Sequence, residues 1–353
     1  MRSITSIILT FVSLIVVAQP PESYYQSSFG EKKEALKTAM KNIIRDHAER
    51  TYGNLWTDFQ STDNKGNNVV WDMYSDVPDG TPAYVYHYTG NQCGNYSREG
   101  DCYNREHSVP QSWFNGATPM YTDLFHLYPT DGYVNNRRDN YPFGEVGNAS
   151  WISTNGSKLG ASSFPGYSKT VFEPIDEYKG DFARTYFYMV TCYEDVVSSW
   201  NCDMLAKNKY PAFTSWAQNL LLKWSREDQV SQKEIDRNNA VYAIQNNRNP
   251  FIDYPQLAEY IWGDSIEYVF NPNISTDIIQ KETNIPTIYH VSGTLYIDNL
   301  VTQTTVEIIN LFGNKLIQTT NTGNISVHLP QGLYIVRLMY TNGNVHIHKI
   351  AIQ

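Results

Sequence analysis

The sequence has little cysteine, no excess of positive charge and, after its first residues, no long apolar run. Only four of its 353 residues are cysteines, and no two of them form a Cys-x-x-Cys pair, so a zinc site built on thiolates is not indicated. The formal net charge of −9 excludes binding of nucleic acid through a general basic field and restricts any polyanion site to a local basic patch. The motif His-Glu-x-x-His is also missing, which argues against a zinc metallopeptidase.

The apolar run is confined to Ile4–Val17, where it follows Arg2 and ends at Ala18. A charged start, a short apolar stretch and a small residue at its end are typical of a secretory signal peptide, here residues 1–18. The run is too short for a comfortable transmembrane helix, and no second run is long enough to span a membrane. We therefore expect a secreted or cell-surface protein, after signal peptide removal, with no stable membrane span.

The four cysteines lie as two close pairs along the chain. In an exported protein this spacing predicts two local disulfides, Cys93–Cys102 and Cys192–Cys202, although the sequence leaves three connectivities open.

The remainder of the chain is long enough to bury a sizeable core and divides by composition. Residues 19–268 alternate helical and extended patterns, residues 269–288 read as a linker without periodicity, and residues 289–353 carry short β-type runs typical of a small all-β sandwich module. Helices are predicted over Glu31–Thr51, Ala183–Cys192, Phe213–Trp224, Lys233–Asn246 and Leu257–Trp262, and strands over Val69–Tyr74 and Ala83–Tyr88.

The stretch Tyr103–Gly144 carries the residues with chemical potential. Hydrolysis of a phosphodiester needs a base for water, a cation for the phosphate and stabilisation of the leaving oxygen. His107 can be the base, since an imidazole ordinarily titrates near neutral pH, whereas Glu106 and Asn135 offer the oxygen ligands that a hard divalent cation prefers. The neighbouring arginines Arg137 and Arg138 can hold phosphate oxygens.

The same stretch predicts a strand, a loop, a return strand and a short helix. The return strand is expected at Asp123–Tyr128, stopped by Pro129, with Thr130 or Asp131 as the N-cap of the helix that carries Asn135. On a regular strand Glu106 and His107 face opposite sides, so both reach one site only if the strand twists or the metal lies near its edge. His126 is interpreted as a packing or loop-orienting residue.

Other interpretations of these residues stay open at this point. Asn135 alone suits a turn or cap, and the arginine pair alone suits a solvated helix face. The alternative function is an exported glycan-binding or adhesin-type protein without catalysis, whose tyrosines and β-module bind sugars. A peptidase is a third alternative.

Three segments nevertheless match a known family. Arg105–Phe114, Asp123–Pro129 and Val134–Asn140 resemble the active-site segments of the bacterial endonuclease I family, nucleases of the ββα-metal (His-Me finger) class. The resemblance covers roughly residues 30–263. It implies an α+β fold with a His-Me finger core and surrounding helices.

The resemblance also implies roles for residues at matching positions. His107 would be the general base, and Glu106 and Asn135 would be the protein ligands of a single Mg²⁺, for which Ca²⁺ or Mn²⁺ can substitute. Arg138, and Arg137 as a weaker match, would bind the substrate phosphate. The family cleaves DNA, and often RNA, without sequence preference and leaves 5′-phosphate ends.

The C-terminal module is similar to the sorting domains of the type nine secretion system of Bacteroidetes-like bacteria. The similarity rests on residues 332–338 and on the closing residues 348–353. It implies that the secretion machinery is a partner and that the module is an export address.

Overall fold

The computed structural model describes residues 20–272, 286–291, 293–310, 313–340 and 345–352. The chain divides into two compact units, Met1–Asn271 and Pro272–Gln353. The predicted signal peptide (1–18) lies outside the described residues, as does most of the predicted linker, and the domain boundaries drawn from the sequence stay predictions. Within the described ranges, no helix has the length and apolar character needed to cross a membrane.

The first unit is built around one buried helix. This is Lys179–Cys192 (α4), which is buried along its whole length and packs against three other helices and two 3-10 turns. The helices predicted from apolar spacing are confirmed, although the first of them ends earlier than expected. The bounds are α1 Lys33–Ile44, α2 Leu55–Thr62, α3 Gly132–Arg138, α4 Lys179–Cys192, α5 Ser215–Glu227, α6 Gln232–Gln245, α7 Pro250–Asp253 and α8 Leu257–Ile261.

Two antiparallel sheets complete the first unit, which confirms the α+β class. Strands β1 (Tyr103–His107) and β2 (Leu127–Asp131) form a two-stranded sheet. Strands β3 (Val146–Ile152), β4 (Lys158–Ser162) and β5 (Thr170–Glu173) form a three-stranded sheet in the order β3-β4-β5.

The strands predicted at Val69–Tyr74 and Ala83–Tyr88 are wrong. These segments are irregular and share an isolated bridge between Val69 and His87. Burial in the first segment does not alternate as in a strand with one solvent face, because Asp72, Met73 and Tyr74 are all buried. The second segment alternates in burial but, within the described part of the chain, has only this bridge. Tyr74 and Tyr86 are buried and send their hydroxyl groups to carboxylates, at 2.8 Å from Glu106 and 2.6 Å from Asp131 respectively.

The second unit is all-β, as predicted. Its strands belong to one sheet in the order β10-β9-β7-β6, with β8 paired to β7. Several short predicted runs merge into the long strands β7 and β8, whose pairing shifts register between Ile297 and Thr304. Apolar residues such as Leu295, Val306 and Val336 form its separate core. The bounds are β6 Thr287–Val291, β7 Thr294–Asn310, β8 Lys315–His328, β9 Gly332–Tyr340 and β10 Val345–Ile352.

The candidate site lies where β1, β2 and α3 follow one another, which is the predicted ββα arrangement. The return strand begins four residues later than predicted, because Leu124–His126 form a 3-10 turn capped by the Asp123 carboxylate. Pro129 does not stop the strand but pairs with Arg105 inside it. A two-stranded sheet leaves each strand one free edge, and a proline that lacks an N–H group is tolerated there.

Candidate active site

Side chains of β1 alternate between two faces, and this sorts the predicted site residues. Asn104 and Glu106 face α3, where Asn104 accepts a hydrogen bond of 2.7 Å from the Asn135 amide. Arg105 and His107 lie on the opposite face, where both pack against the ring of Tyr52. The strand therefore separates the predicted metal ligands from the predicted base, and the two groups can meet only at the strand's edge or end.

The carboxylate of Asp131 positions α3. Its Oδ1 accepts from the backbone N–H of Val134 at 2.8 Å, which caps the helix. Its Oδ2 accepts from the hydroxyls of Tyr84 and Tyr86 at 2.9 and 2.6 Å and from the N–H of Gly100 at 2.9 Å. Of the two predicted caps, Asp131 is therefore the one used.

Glu106 is buried with one oxygen occupied. Tyr74 and Arg138 both donate to its Oε1, each at 2.8 Å. Burial raises the pKa of Glu106 to about 7, while Arg138 and Tyr74 act in the opposite direction. These two donors leave Oε2 for another partner.

Asn135 is arranged in the same way as Glu106. Its amide nitrogen is occupied by Asn104, so its Oδ1 remains as an acceptor. One carboxylate oxygen and one amide oxygen on the same face of β1 suit a hard divalent cation, which keeps several waters and needs only one or two protein ligands. These two residues therefore fit the predicted Mg²⁺ site.

The ring of His107 has a defined tautomer. Its Nε2 lies 3.0 Å from the carbonyl oxygen of Tyr121, and a carbonyl can only accept, so Nε2 carries the proton and Nδ1 keeps its lone pair. The ring stacks on Tyr121 with centroids 5.0 Å apart. Burial, and then the neighbouring His126, lower the pKa of His107 to about 3. The imidazole is thus neutral at neutral pH, with Nδ1 as its proton acceptor.

Comparison with known proteins shows the family of this chain. Residues 32–256 match the family model described as Endonuclease I. The chain belongs to the Endonuclease I family. It is therefore a nuclease, a phosphodiester hydrolase with the His-Me finger fold, and this membership favours an enzyme over the glycan-binding alternative.

The chain is also similar to individual proteins that are named as nucleases. The chain is 32% identical over 260 residues to a protein named extracellular ribonuclease from Bacillus amyloliquefaciens, covering 72% of this chain and 82% of the relative. It is 31% identical over 263 residues to the extracellular ribonuclease of Bacillus subtilis (strain 168), covering 72% and 84%. It is 29% identical over 131 residues to Endonuclease-1 of Buchnera aphidicola subsp. Baizongia pistaciae, covering 37% and 46%.

The structure corrects the phosphate-binding role predicted for Arg138 in this nuclease. The side chain is only 1% exposed, and both terminal nitrogens, Nη1 and Nη2, donate to protein acceptors, whereas the buried Nε has no hydrogen-bond partner among the described residues. It binds Glu106 and the carbonyls of His107 and Ser108, and it also reaches the hydroxyl of Tyr186. A guanidinium that is buried and committed in this way holds the ligand Glu106 and the end of β1, and it does not face a substrate.

Arg137 lies on a different side of α3 and is exposed. Its guanidinium carbon is 5.1 Å from the ring centre of Tyr133 and 5.7 Å from that of Trp151. Its Nε and Nη2 donate to the Tyr133 hydroxyl at 3.1 and 2.6 Å. The phosphate contact predicted for Arg137 stays a prediction.

The cysteines divide into one bonded pair and two free thiols. Cys93 and Cys102 form a disulfide with Cα atoms 5.7 Å apart, which closes the loop just before β1. The predicted Cys192–Cys202 disulfide is wrong, because both residues are free. Cys192 is buried at the end of α4 beside the Ile44 carbonyl. Cys202 lies elsewhere, in the lining of a cavity that also contacts Trp113.

A second cluster of side chains that could hold a metal ion, formed by His47, Asp123 and Cys192, was not predicted from the sequence. Their ligand atoms lie within 4.8 Å of one another. The Asp123 carboxylate, however, already accepts from two tyrosine hydroxyls, the Gln245 amide and the Phe125 N–H. No sequence spacing signals the group, because its members come from three distant segments. His126 is buried with its Nε2 2.7 Å from the Met120 carbonyl, which agrees with a packing role.

Proposed function

We propose that this chain is an exported, sequence-nonspecific endonuclease that cleaves DNA and RNA with one Mg²⁺ and a histidine base, leaving 5′-phosphates. The observation that carries the proposal is that the predicted metal ligands and the predicted base lie on opposite faces of β1. The free oxygens of Glu106 and Asn135 lie on one face and the His107 imidazole, with Nδ1 free to accept a proton, on the other. The name extracellular ribonuclease supports RNA as a substrate, and the name Endonuclease-1 supports cleavage within the polymer. DNA as a substrate rests on the family resemblance.

In the proposed reaction, water attacks the phosphorus while His107 Nδ1 takes its proton. The Tyr121 carbonyl holds the imidazole through Nε2, which fixes the tautomer and stabilises the protonated ring. The new bond joins the water oxygen to phosphorus, the bond from phosphorus to the 3′ oxygen breaks, and the leaving oxygen is protonated from solvent. When bound to Glu106 and Asn135, Mg²⁺ supplies charge neutralisation at the phosphate.

Low sequence specificity follows from contacts that are directed to the phosphate backbone, which carries no sequence information directly. Arg137 is the notable exposed candidate for such a contact on α3. Export is supported by the predicted signal peptide and by the Cys93–Cys102 disulfide, which persists in oxidising compartments. The type nine secretion machinery is the proposed partner of the C-terminal module.

The deciding experiment incubates purified protein with plasmid DNA and with RNA in Mg²⁺, Mn²⁺, Ca²⁺ and EDTA. We expect cleavage of both polymers with Mg²⁺, loss with EDTA, and 5′-phosphate ends in an end-labelling assay. The variant His107→Ala should lose turnover while it still binds DNA, whereas His87→Ala, a change at an exposed histidine, should keep both. Plasmid and RNA that stay intact in all three metals would refute the proposal.

A further inference from the structure

Two of the described arginines differ from the others in having no carboxylate partner. Carboxylates outnumber the cationic side chains, 36 against 27, and almost all of the described arginines pair with one. Among the arginines that the structure describes, only Arg105 and Arg137 lack a carboxylate within ion-pair distance. Arg137 is already a predicted phosphate contact, whereas Arg105 has no assigned role.

Arg105 is held rigidly by aromatic rings. Its guanidinium carbon lies 3.5 Å from the ring centre of Tyr52 and 4.3 Å from that of Trp56. Its Nη1 donates to the Tyr52 carbonyl at 2.7 Å. A guanidinium has five N–H donors, so most of them remain for a ligand. The stacking fixes the planar group in advance, which lowers the entropy lost when it binds an anion.

The position of Arg105 relates it directly to the base. Arg105 and His107 are two residues apart on β1 and share one face, so they lie about 7 Å apart along the strand. The ring of Tyr52 lies near both, with its centroid 6.1 Å from that of His107. The side chain is half-buried and its charge is not cancelled by a carboxylate. An anion seated there would be a close neighbour of the phosphate that His107 acts on.

We propose that Arg105 binds a backbone phosphate adjacent to the scissile one, and that Tyr52 and Trp56 are positioning residues for its guanidinium. The inference rests on the proposed nuclease function. On the face of β1 that carries His107, Arg105 supplies the phosphate contact that the buried Arg138 cannot make. Since the ligand is a phosphate, the contact serves DNA and RNA alike.

The test measures binding of a labelled DNA duplex in EDTA at several salt concentrations. Arg105→Gln removes the charge but keeps an amide that can donate to the Tyr52 carbonyl, and Arg105→Lys keeps the charge. The control is Arg226→Gln, which removes the same charge from α5, where Arg226 pairs with Glu259. We expect the slope of log affinity against log salt to fall in magnitude by about 0.9 for Arg105→Gln alone.

Steady-state kinetics in Mg²⁺ provide a second readout. Arg105→Gln should raise KM by about tenfold or more, the loss of a hydrogen bond to a charged group, with a much smaller change in kcat. Trp56→Leu should raise KM while the salt slope stays intact, because the charge remains but is held less firmly.

The outcomes separate this inference from the proposed function. If the wild-type protein does not cleave nucleic acid, the proposed nuclease function is refuted, and this assay is done before any variant is compared. A cleaving wild type whose folded Arg105→Gln variant keeps the full salt slope and KM overturns the inference alone. Thermal melting checks folding, and Arg105→Met is the second charge-removing variant. If neither of them folded, Arg105 would be assigned to stability and the inference would fail.

Discussion

Arg138 and Glu106 form a buried ion pair, with Nη1 of Arg138 2.8 Å from Oε1 of Glu106 and side-chain exposures of 1% and 3%. The pair fixes which carboxylate oxygen is left for a cation. It also joins the end of α3 to β1, because the same guanidinium binds the carbonyls of His107 and Ser108. The arginine therefore acts on the site through Glu106.

We expect Arg138→Met to lower the free energy of unfolding by about 3–5 kcal/mol, because it leaves Glu106 buried without its partner. Urea denaturation of the two proteins measures the difference. The double variant Arg138→Met/Glu106→Gln should recover much of the loss, since no unpaired charge remains. A single variant as stable as the wild type would contradict a buried ion pair.

Asn135→Ala should weaken the response to Mg²⁺. The change removes the amide oxygen that faces the same side of β1 as Glu106, so half-maximal activity should need about tenfold more Mg²⁺ or higher, a range seen when groups around a metal are changed. Mg²⁺ titrations of nuclease activity provide the measurement. The exposed neighbour Asn136 gives the control Asn136→Ala, and equal titration curves for both variants would exclude Asn135 as a ligand.

Asp131→Ala should destabilise the ββα segment more than an ordinary cap substitution. Loss of the cap alone costs about 1 kcal/mol. The buried Tyr86 hydroxyl then loses its acceptor, at roughly 1–3 kcal/mol, and so does the half-buried Tyr84 hydroxyl. We expect a loss of at least about 3 kcal/mol in the free energy of unfolding, measured in urea. Asp46→Ala at an exposed position is the control, and similar losses in both variants would argue against this network.

The environment of the Asp228 carboxyl group predicts how the free energy of unfolding depends on pH. Its carboxylate accepts from the Gly180 N–H at 2.7 Å at the start of α4. Burial, and then the Asp181 carboxylate, raise its pKa to about 7 from the ordinary 3.8. Between about pH 4 and pH 7 the folded state therefore binds more protons than the unfolded state, and this group lowers the free energy of unfolding as pH rises.

Asp228→Asn cannot lose a proton, and its amide oxygen can still accept from Gly180. The variant should therefore gain stability relative to the wild type as pH rises from 4 to 7, and keep that gain at pH 8. Urea denaturation at four pH values measures the difference between the two proteins. Asp236→Asn, on the exposed side of α6, should show no such trend, and a constant difference for Asp228→Asn would contradict the assignment.

The sequence predicted elements whose signals are local. The helices of the first unit follow apolar spacing, α3 follows an aspartate that can cap it, and the bonded cysteines lie nine residues apart. Local signals also led to errors. Pro129 was expected to stop a strand, but the stopping rule depends on whether the missing N–H faces a partner strand, and that is a tertiary fact.

The role of Arg138 shows why part of the site could not be predicted. Helical spacing places Asn135 and Arg138 on one side of α3 and Arg137 on another. It cannot tell which side is covered by β1, so two adjacent arginines looked equivalent. Cys192 is a similar case, because its burial against α1 depends on how distant helices pack.

The pairing of nearly all described arginines with carboxylates has a consequence for how a long polymer is degraded. Away from the cleavage site, arginines that are paired with carboxylates give a phosphate backbone little to hold. A nuclease with a broad basic face stays on its strand and cuts the same molecule repeatedly. This enzyme should instead act distributively: it releases the strand after each cut, so that all molecules in a mixture shorten together.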